Sequence, residues 1–426
     1  MTDNELYEET SPVSKTAVAT LLQLAAAGYE KAGEIAKGLG FPEKEYAWSL
    51  GGRDELEKIC MVVNRESRYV ALNRAALESG CDIIYDLPCG FVHRAFEMAD
   101  CGKTYVGGDL PEVIRSLEPV IGRMLSPDQK NRVRFSEVDA TNDLSVEDAL
   151  DGLDGPVCVC TEGLFVYLNP SDKQTVIRNI YRLLKKRGGC WITVDPETLA
   201  RHMAVFTAIA GARAPEILRE EMRGFSREAE VDVSAKSSPF LKKDSGGAEK
   251  AISSESEEEF LQNGFLVEKI PFVGDDFTLR SYAFLQTETI EKLKKSLAHV
   301  HVWKFTVNPY FPGIENDKVA ERSNIRTGLS DGTLRFTLSG RMDALSSPLF
   351  LKLWEKEKEG RKFQRVEIDC RDLQYLSSAG LRVLMIIQKD LGKDAMVLLH
   401  VPDEIREILS VTGTKIPFRS DPERSW

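Results

Sequence analysis

Several features are scarce or missing in this sequence, and each absence excludes a class of protein. No apolar run approaches the ~20 residues that a membrane-spanning helix needs. The net charge of −11 argues against nucleic acid as the main partner, because phosphate binding needs clustered Lys and Arg. The N-terminal residues, MTDNELYEETS, are polar and acidic, so we expect no secretory signal. These absences favour a cytoplasmic protein without a membrane anchor.

Cysteine and histidine offer neither a disulfide framework nor a metal centre. The eight cysteines, in a chain without a recognisable signal, indicate reduced thiols in a cytoplasm. Cys158 and Cys160 lie two residues apart on a predicted strand and share a face, which is the spacing of a metal-binding pair. No second cysteine pair or histidine cluster completes a tetrahedral set. We therefore expect small buried side chains and no metal.

The stretch from Cys81 to Asp109 has the pattern of a nucleoside-binding unit. A short apolar run ends in Asp86, a turn follows through Leu87–Gly90, and a helical segment leads to a second apolar run that ends in Asp109. Strand, glycine-containing turn, helix and strand with a terminal acid bind a nucleoside in open α/β sheets. The acid can accept hydrogen bonds from both ribose hydroxyls. The turn holds one glycine where the full fingerprint has three.

The same strand-then-helix pattern repeats further along the chain. Predicted strands at 133–139, 156–162 and 190–195 end in acidic residues, and a helix from Asn169 to Gly189 separates the last two. This repetition predicts an α/β fold with a doubly wound, mostly parallel Rossmann-like sheet. Residues 14–80 have helical periodicity and predict an N-terminal cap of helices, with one helix over 54–64 and a separate one ending at Gly80.

The motifs resemble those of one enzyme family. The segment TEGLFVYL at 161–168 is similar to a signature of the leucine carboxyl methyltransferase-like family, whose members depend on S-adenosylmethionine (SAM). DLPCG at 86–90, with Arg94 four residues on, resembles the glycine turn of that family, and GGDLP at 107–111 stands where the family has a second acidic motif. The resemblance covers roughly residues 15–300.

The resemblance implies a set of cofactor contacts. Gly90 and its turn would lie against the methionine part of SAM, Asp109 would accept from the ribose hydroxyls, and Asp139 would accept from the adenine amine. An arginine on the preceding helix would pair with the cofactor carboxylate, and Arg68 matches best, with Arg65 as the alternative. The full set of implied cofactor-binding residues is Arg68, Asp86, Pro88, Gly90, Asp109, Leu110, Asp139, Ala140, Glu162 and Gly163.

Three positions depart from the family pattern. Pro88 replaces the first glycine of the turn, Val92 replaces an acid, and Gly107 stands where a glutamate is usual. Proline fixes φ near −65° and has no N–H to donate, so this turn must differ in detail from that of the family. A domain that no longer binds the cofactor remains an alternative interpretation. Retention of all three strand-end acids favours binding.

The region between the two predicted domains is less regular. Residues 229–247 are rich in Ser, Lys and Asp and predict a loop or lid. Strands are predicted at 266–272 and 277–285, as the antiparallel end of the sheet. Residues 313–332 are polar and charged and predict a linker. At 426 residues the chain should hold two or three domains, and we place the methyltransferase-like domain at 1–312, with residues 1–80 as its helical cap.

Residues 333–426 resemble a STAS domain, the fold of anti-sigma-factor antagonists. Alternating apolar residues predict strands at 334–338 and 366–370, and LSSAGL at 376–381 resembles the helix start of that family. Ser377 stands where an acid is usual, and Ser378 aligns with the serine that partner kinases phosphorylate. The alternative is that Ser378 only caps a helix, which serine does well. A kinase or an anti-sigma-like protein would be the partner that the resemblance implies.

Two functions follow from these patterns. The first is a SAM-dependent O-methyltransferase acting on a carboxylate or hydroxyl of a small molecule or protein, with Tyr167 and Glu162 as candidate catalytic residues and His93 as a further polar group near the cleft. The second is a non-catalytic, cofactor-sensing, partner-switching signalling protein. The acceptor and the oligomeric state are not determined by these patterns.

Overall fold

The computed structural model describes residues 12–41, 54–219, 257–311, 324–330, 332–343, 346–360, 363–392, 395–411 and 416–419. The chain divides into two compact units. The first unit contains residues 1–136 and 149–313, and the second contains residues 137–148 and 314–426. The predicted loop or lid at 229–247 lies outside the described residues. Among the described helices, none is long and apolar enough to cross a membrane.

The first unit is built on a seven-stranded sheet in the order β3-β2-β1-β4-β5-β7-β6. β1 pairs in parallel with β2 and β4, β4 pairs in parallel with β5, and β7 is antiparallel to both β5 and β6. The strands are β1 Ile83–Asp86, β2 Thr104–Asp109, β3 Val133–Glu137, β4 Val157–Thr161, β5 Gly189–Thr193, β6 Phe265–Pro271 and β7 His301–Val307.

Helices cover the central strands of this sheet. Every residue of β1 and β4 is buried, as expected for central parallel strands with helices on both faces. Helices of the two units are numbered in chain order as α1 Pro12–Ala26, α2 Glu30–Gly38, α3 Glu55–Leu77, α4 Arg94–Asp100, α5 Pro111–Met124, α6 Pro127–Lys130, α7 Asp143–Asp148, α8 Pro170–Arg187, α9 Thr198–Ala210, α10 Thr287–Leu297, α11 Ser347–Gly360, α12 Ser378–Leu391 and α13 Asp403–Val411.

The N-terminal cap differs from the prediction in one respect. The sequence predicts two helices between residues 54 and 80, whereas α3 is a single helix of 23 residues. Asp54 begins it by accepting a hydrogen bond from the Glu57 N–H at 3.0 Å, which is an N-cap. No proline or glycine interrupts the run up to Leu77, so nothing breaks the backbone hydrogen bonding. Arg65 and Arg68 therefore lie on one turn of a rigid helix.

The second late strand is also placed differently. Residues 277–285 do not form a strand, because Arg280–Phe284 is a short 3₁₀ helix. The strand that pairs with β5 and β6 is β7, in which Val302, Trp303 and Phe305 are fully buried. Apolar residues on both faces suit a strand inside a sheet better than the turn-rich 277–285 segment does.

The second unit contains a five-stranded sheet in the order β12-β11-β10-β9-β8. Its strands are β8 Asn324–Ser330, β9 Thr333–Met342, β10 Arg365–Leu376, β11 Met396–Leu399 and β12 Phe418–Arg419. β8 and β9 form an antiparallel hairpin, and β9, β10, β11 and β12 are parallel. The predicted linker at 313–332 thus contains a strand. The sequence pattern does not predict this strand, because β8 is an edge strand whose largely exposed side chains lack the apolar alternation of a buried strand.

The core of the second unit lies between this sheet and helices α11, α12 and α13. Phe336, Phe350 and Trp354 pack together and are fully buried. Gly380, in the first turn of α12, is required by close packing: a Cβ there would lie 2.7 Å from the Met342 carbonyl oxygen. The glycine of the 376–381 motif therefore lets α12 approach the end of β9.

Candidate functional site

Parallel strands of the first unit bring four acidic side chains to one edge of the sheet. Asp86 and Asp109 are the last residues of β1 and β2, Glu162 follows β4, and Asp195 lies two residues after β5. Because the carboxyl ends of parallel strands meet at the same edge, these carboxylates share it. Among the described residues, no group of three or more His, Cys, Asp or Glu side chains is arranged to hold a metal ion.

Asp86 is held by a buried arginine. Arg94, at the start of α4, donates from Nη1 to both carboxylate oxygens of Asp86 at 2.6 and 2.7 Å, and Tyr105 donates its hydroxyl at 2.8 Å. Arg94 Nε donates to Asn73 Oδ1 at 2.5 Å. The side chains of Arg94 and Asp86 are 1% and 0% exposed. The predicted cofactor residue Asp86 is therefore a fully buried partner of Arg94 and Tyr105.

Glu162 lies between two arginines. One carboxylate oxygen accepts from Arg68 Nε, and the other accepts from Arg94 Nη2 at 2.5 Å. Burial opposes the charge of Glu162, but Arg68 and Arg94 outweigh it and lower its pKa to about 2. Two residues predicted from the resemblance, Arg68 and Glu162, are thus brought together. Arg94 links them to Asp86 in one buried chain of charges.

The glycine turn folds back onto the end of β2. Asp109 accepts from the Gly90 N–H at 2.7 Å and from the Leu110 N–H at 2.7 Å. Gly90 has φ of 54°, a conformation that glycine adopts without strain, and the Leu87–Pro88 peptide is cis. Burial raises the pKa of Asp109 to about 7, and the two backbone donors only partly offset it. Leu110 precedes α5 as its N-cap residue.

Asp195 supports the turn that follows Glu162. Its carboxylate accepts from the backbone N–H groups of Gly163, Leu164 and Phe165 at 2.7, 2.9 and 3.2 Å. Gly163 has φ of 69°. A Cβ on Gly163 would lie 3.6 Å from Arg68 Nη1, so the turn is packed against that guanidinium. Sequence patterns identified the acid at the end of β5 but not this role.

Tyr167 and His93, the other candidate polar groups, have different surroundings. The Tyr167 hydroxyl is hydrogen-bonded to Thr16 of α1, and burial raises its pKa. His93 is 2% exposed and packs between the rings of Tyr29 and Tyr69, with centroids 4.7 Å away. Its Nε2 lies 3.2 Å from Glu97. His93 is a buried packing residue, and Tyr167 is tied to the helical cap.

Asp139 and Ala140 belong to the second unit. Asp139 Oδ1 accepts from the Thr141 N–H at 2.8 Å and from its hydroxyl at 2.7 Å. Within this unit the segment 137–148 is held by the end of β9. Asn142 donates to Asp343 at 2.6 Å, and Arg341 donates to the Thr141 carbonyl oxygen.

Ser377, rather than Ser378, caps helix α12. The Ser377 hydroxyl accepts from the Gly380 N–H at 3.2 Å, and its backbone is extended, as an N-cap requires. Ser378 is the first helical residue. The alternative interpretation of Ser378 as only a helix cap is therefore wrong by one position. Ser377, which stands where the STAS resemblance implies an acid, therefore has a structural role as the N-cap of α12.

Arg94 and Arg201 were missed as site residues by sequence reasoning. Arg94 was noted only as part of the turn motif, and its position at the start of a helix after a glycine turn was the available signal. Arg201 lies on α9, whose sequence is TLARHMAVFTAIA. An arginine among apolar residues of a helix was the available indication that its side chain is buried. It is fully buried.

Residues 325–416 match the family model described as Mlab, STAS domain. The STAS domain predicted from sequence is thus confirmed, and its match begins within β8. No curated protein sequence matches this chain. The predicted fold class, a large mostly parallel α/β sheet with a second small α/β sheet, is confirmed.

Several solved structures are similar in part. An anti-sigma factor antagonist from Mycobacterium paratuberculosis is 19% identical over 24% of this chain and 89% of its own, with a TM-score of 0.22. A DUF574 family protein from Streptomyces avermitilis is 14% identical over 65% of this chain and 96% of its own, with a TM-score of 0.38. Human N-acetylserotonin methyltransferase in complex with SAM is 12% identical over 64% of this chain and 62% of its own, with a TM-score of 0.31.

Proposed function

We propose that the first unit is a SAM-dependent O-methyltransferase of the leucine carboxyl methyltransferase-like type and that the STAS domain regulates or docks it. The observation that carries this proposal is the hydrogen bond from the Gly90 N–H to Asp109. It joins the glycine turn after β1 to the acid at the end of β2, which is the local arrangement that binds the ribose of a nucleoside in a doubly wound sheet.

The donor and acceptor chemistry of the edge suits SAM. Asp109 uses both oxygens for backbone N–H groups, yet a carboxylate has about four lone-pair sites, so it retains capacity for ribose hydroxyls. Arg68 would meet the amino-acid end of the cofactor, beside Gly163. When bound, SAM supplies an electrophilic methyl group on its sulfonium sulfur.

The edge favours an acceptor that needs no base. Glu162, with a pKa of about 2 and both oxygens paired to arginines, does not take up a proton at neutral pH. The pKa of Tyr167 is raised by burial, so its hydroxyl stays protonated at neutral pH. A carboxylate acceptor is already a nucleophile at neutral pH, whereas a hydroxyl requires deprotonation. We therefore propose a carboxylate, with Tyr167 and Glu162 in positioning roles.

Two measurements on the full chain test this function. Calorimetry with SAM reports binding, and incubation with methyl-labelled SAM and a cell extract reports transfer. Methyl esters release volatile label in mild base, whereas methyl ethers do not. Label that is released in base supports a carboxylate acceptor. Label that is stable in base would contradict the carboxylate and support a hydroxyl acceptor. The Asp109→Ala variant serves as control for both measurements.

Absence of SAM binding would overturn the proposed function. Binding without any transfer would instead support the non-catalytic, cofactor-sensing, partner-switching protein.

For the STAS domain we propose a kinase or anti-sigma-like partner, with Ser378 as the residue that a kinase would phosphorylate. Its position at the first turn of α12 supports this, because a phosphate is tolerated near the positive end of a helix dipole.

A further inference from the structure

Arg201 is a buried arginine with unused donors. It is 0% exposed, and its Nε donates to Asn64 Oδ1 at 3.3 Å. Nη1 donates to the Val194 carbonyl oxygen at 3.3 Å. Nη2 is buried and has no hydrogen-bond partner in the part of the chain that the structure describes. A guanidinium carries five N–H donors, so this side chain has capacity for a planar acceptor.

The carboxylates near Arg201 are already engaged. Glu162 accepts from Arg68 and Arg94 with its two oxygens, and Asp195 accepts from three backbone N–H groups. Neither makes a hydrogen bond to Arg201 in the described residues. Among the described residues, the Arg201 guanidinium therefore makes no direct ion pair with either of these acids.

The local charge disfavours a bare guanidinium. Burial, followed by the charges of Arg68 and Arg65, lowers the pKa of Arg201 to about 9. At neutral pH the side chain is still ionised, and a buried charge without a partner is strongly unfavourable. An anion placed at Nη2 would relieve both the burial and the repulsion between the arginines. The planar donor fork of arginine matches a carboxylate, which can bind through two parallel hydrogen bonds.

We propose that Arg201 binds a carboxylate that enters the first unit with a ligand. The identity of the ligand rests on the proposed function, which offers two sources of this group. One source is the methionine carboxylate of SAM, and the other is the carboxylate of the methyl acceptor. Arg201 is thus a binding residue on α9, outside the motifs that predicted the cofactor contacts.

The experiment compares Arg201→Met and Arg201→Lys with the wild-type full chain. Methionine keeps a long apolar side chain but removes the hydrogen-bond donors. Lysine keeps the positive charge but lacks the planar pair of N–H donors of the guanidinium. Arg187→Met is the matched control, because Arg187 is a partly buried arginine whose two Nη atoms donate to the Leu153 and Leu150 carbonyl oxygens among the described residues. Circular dichroism verifies the fold of each variant. Calorimetry uses SAM and decarboxylated SAM, and thermal unfolding uses acetate against chloride as a minimal carboxylate probe.

The two sources give different results. If Arg201 takes the SAM carboxylate, Arg201→Met weakens SAM binding at least about tenfold and leaves decarboxylated SAM unchanged. If it takes the acceptor carboxylate, SAM affinity stays within about twofold of wild type, and the stabilisation by acetate seen in wild type disappears in Arg201→Met. Arg201→Lys should give an intermediate effect, and Arg187→Met should behave as wild type.

Unchanged SAM affinity together with an unchanged or absent acetate effect would overturn the proposal and leave a water molecule as the partner of Nη2. A wild type that binds acetate through Arg201 but does not bind SAM would overturn the proposed function and retain the subsite. Should Arg201→Met not fold, wild type with ¹⁵N-labelled arginine side chains is titrated with SAM and with acetate. A shifted guanidinium resonance that is absent in Arg201→Lys supports the proposal, and no shift in either titration contradicts it.

Discussion

Arg94 Nη1 donates to both carboxylate oxygens of Asp86 at 2.6 and 2.7 Å, with both side chains almost completely buried. The same guanidinium reaches Glu162 through Nη2, so one arginine joins the ends of β1 and β4. The edge of the sheet is therefore pre-organised by buried charge pairs that connect the end of β1 to the residue after β4.

We expect Arg94→Met to destabilise the first unit by roughly 3–5 kcal/mol, because it leaves Asp86 and one oxygen of Glu162 as buried negative charges without their cationic partner. Urea denaturation followed by circular dichroism measures this change. The control is Lys31→Met, which removes the exposed ion pair between Lys31 and Glu34 and should leave the transition midpoint nearly unchanged. Equal midpoints for Arg94→Met and wild type would show that the buried pair is not a stability determinant.

Asp109→Ala should weaken SAM binding by at least about tenfold, since each charge-assisted hydrogen bond to a ribose hydroxyl contributes ~1.5–3 kcal/mol. Calorimetry with SAM measures the affinity of wild type and variant. Because the pKa of Asp109 is about 7, wild-type affinity should rise as pH increases through 7, and Asp109→Ala should lack this dependence. An affinity of Asp109→Ala within about twofold of that of wild type would contradict the proposed contact with the ribose.

Glu162 should make the protein sensitive to acid. Its pKa in the folded chain, about 2, lies below the ordinary value of 4.5. The stability that this carboxylate contributes is therefore present above pH 4.5 and is lost as pH falls from 4.5 towards 2. Glu162→Gln should be less stable than wild type at pH 7, and the difference should shrink in that acid range. Urea denaturation at several pH values measures it, with the exposed Glu268→Gln as control. A difference that stays constant with pH would contradict the charge pairing.

Ser377 and Ser378 should separate capping from partner binding. Ser377→Ala removes the N-cap of α12 and should lower the stability of that helix by about 1 kcal/mol. Ser378→Ala should leave the helix unchanged, which hydrogen exchange of the α12 amides can measure. In a pull-down from the source cell, Ser378→Asp should lose the partner and Ser378→Ala should retain it, because a negative charge disfavours an acidic or apolar surface. If all baits retain the same proteins, Ser378 is not a switch.

Strand β8 should be needed by the second unit. A chain that starts at Thr333 lacks the hairpin partner of β9, because seven residues of β9 pair with β8. We expect a fragment of residues 333–426 to melt at a lower temperature than one of residues 324–426 and to aggregate more, because the exposed edge of β9 is then free to pair with another chain. Thermal denaturation and light scattering compare the two. Equal melting temperatures and equal light scattering of the two fragments would show that residues 324–330 act only as a linker.

Local patterns in the sequence predicted the parts of the fold that depend on neighbouring residues. Asp86 and Asp109 follow buried apolar runs, and an acid at the end of a parallel strand is readable from a few residues. The misplaced late strand shows the limit of this approach. Apolar residues are spread over both 277–285 and 301–307, and only pairing with β5 selects the second segment.

The sequence by itself therefore determined the two folds, the positions of the first five strands along the chain and the acids near their ends, because these follow from periodicity and short-range turn chemistry. Tertiary structure alone decided which charges meet. Arg68 and Glu162 are 94 residues apart in the chain, and Arg201 is buried far from any motif. Whether a guanidinium is paired depends on every element that packs around it, and no spacing along the chain contains that information.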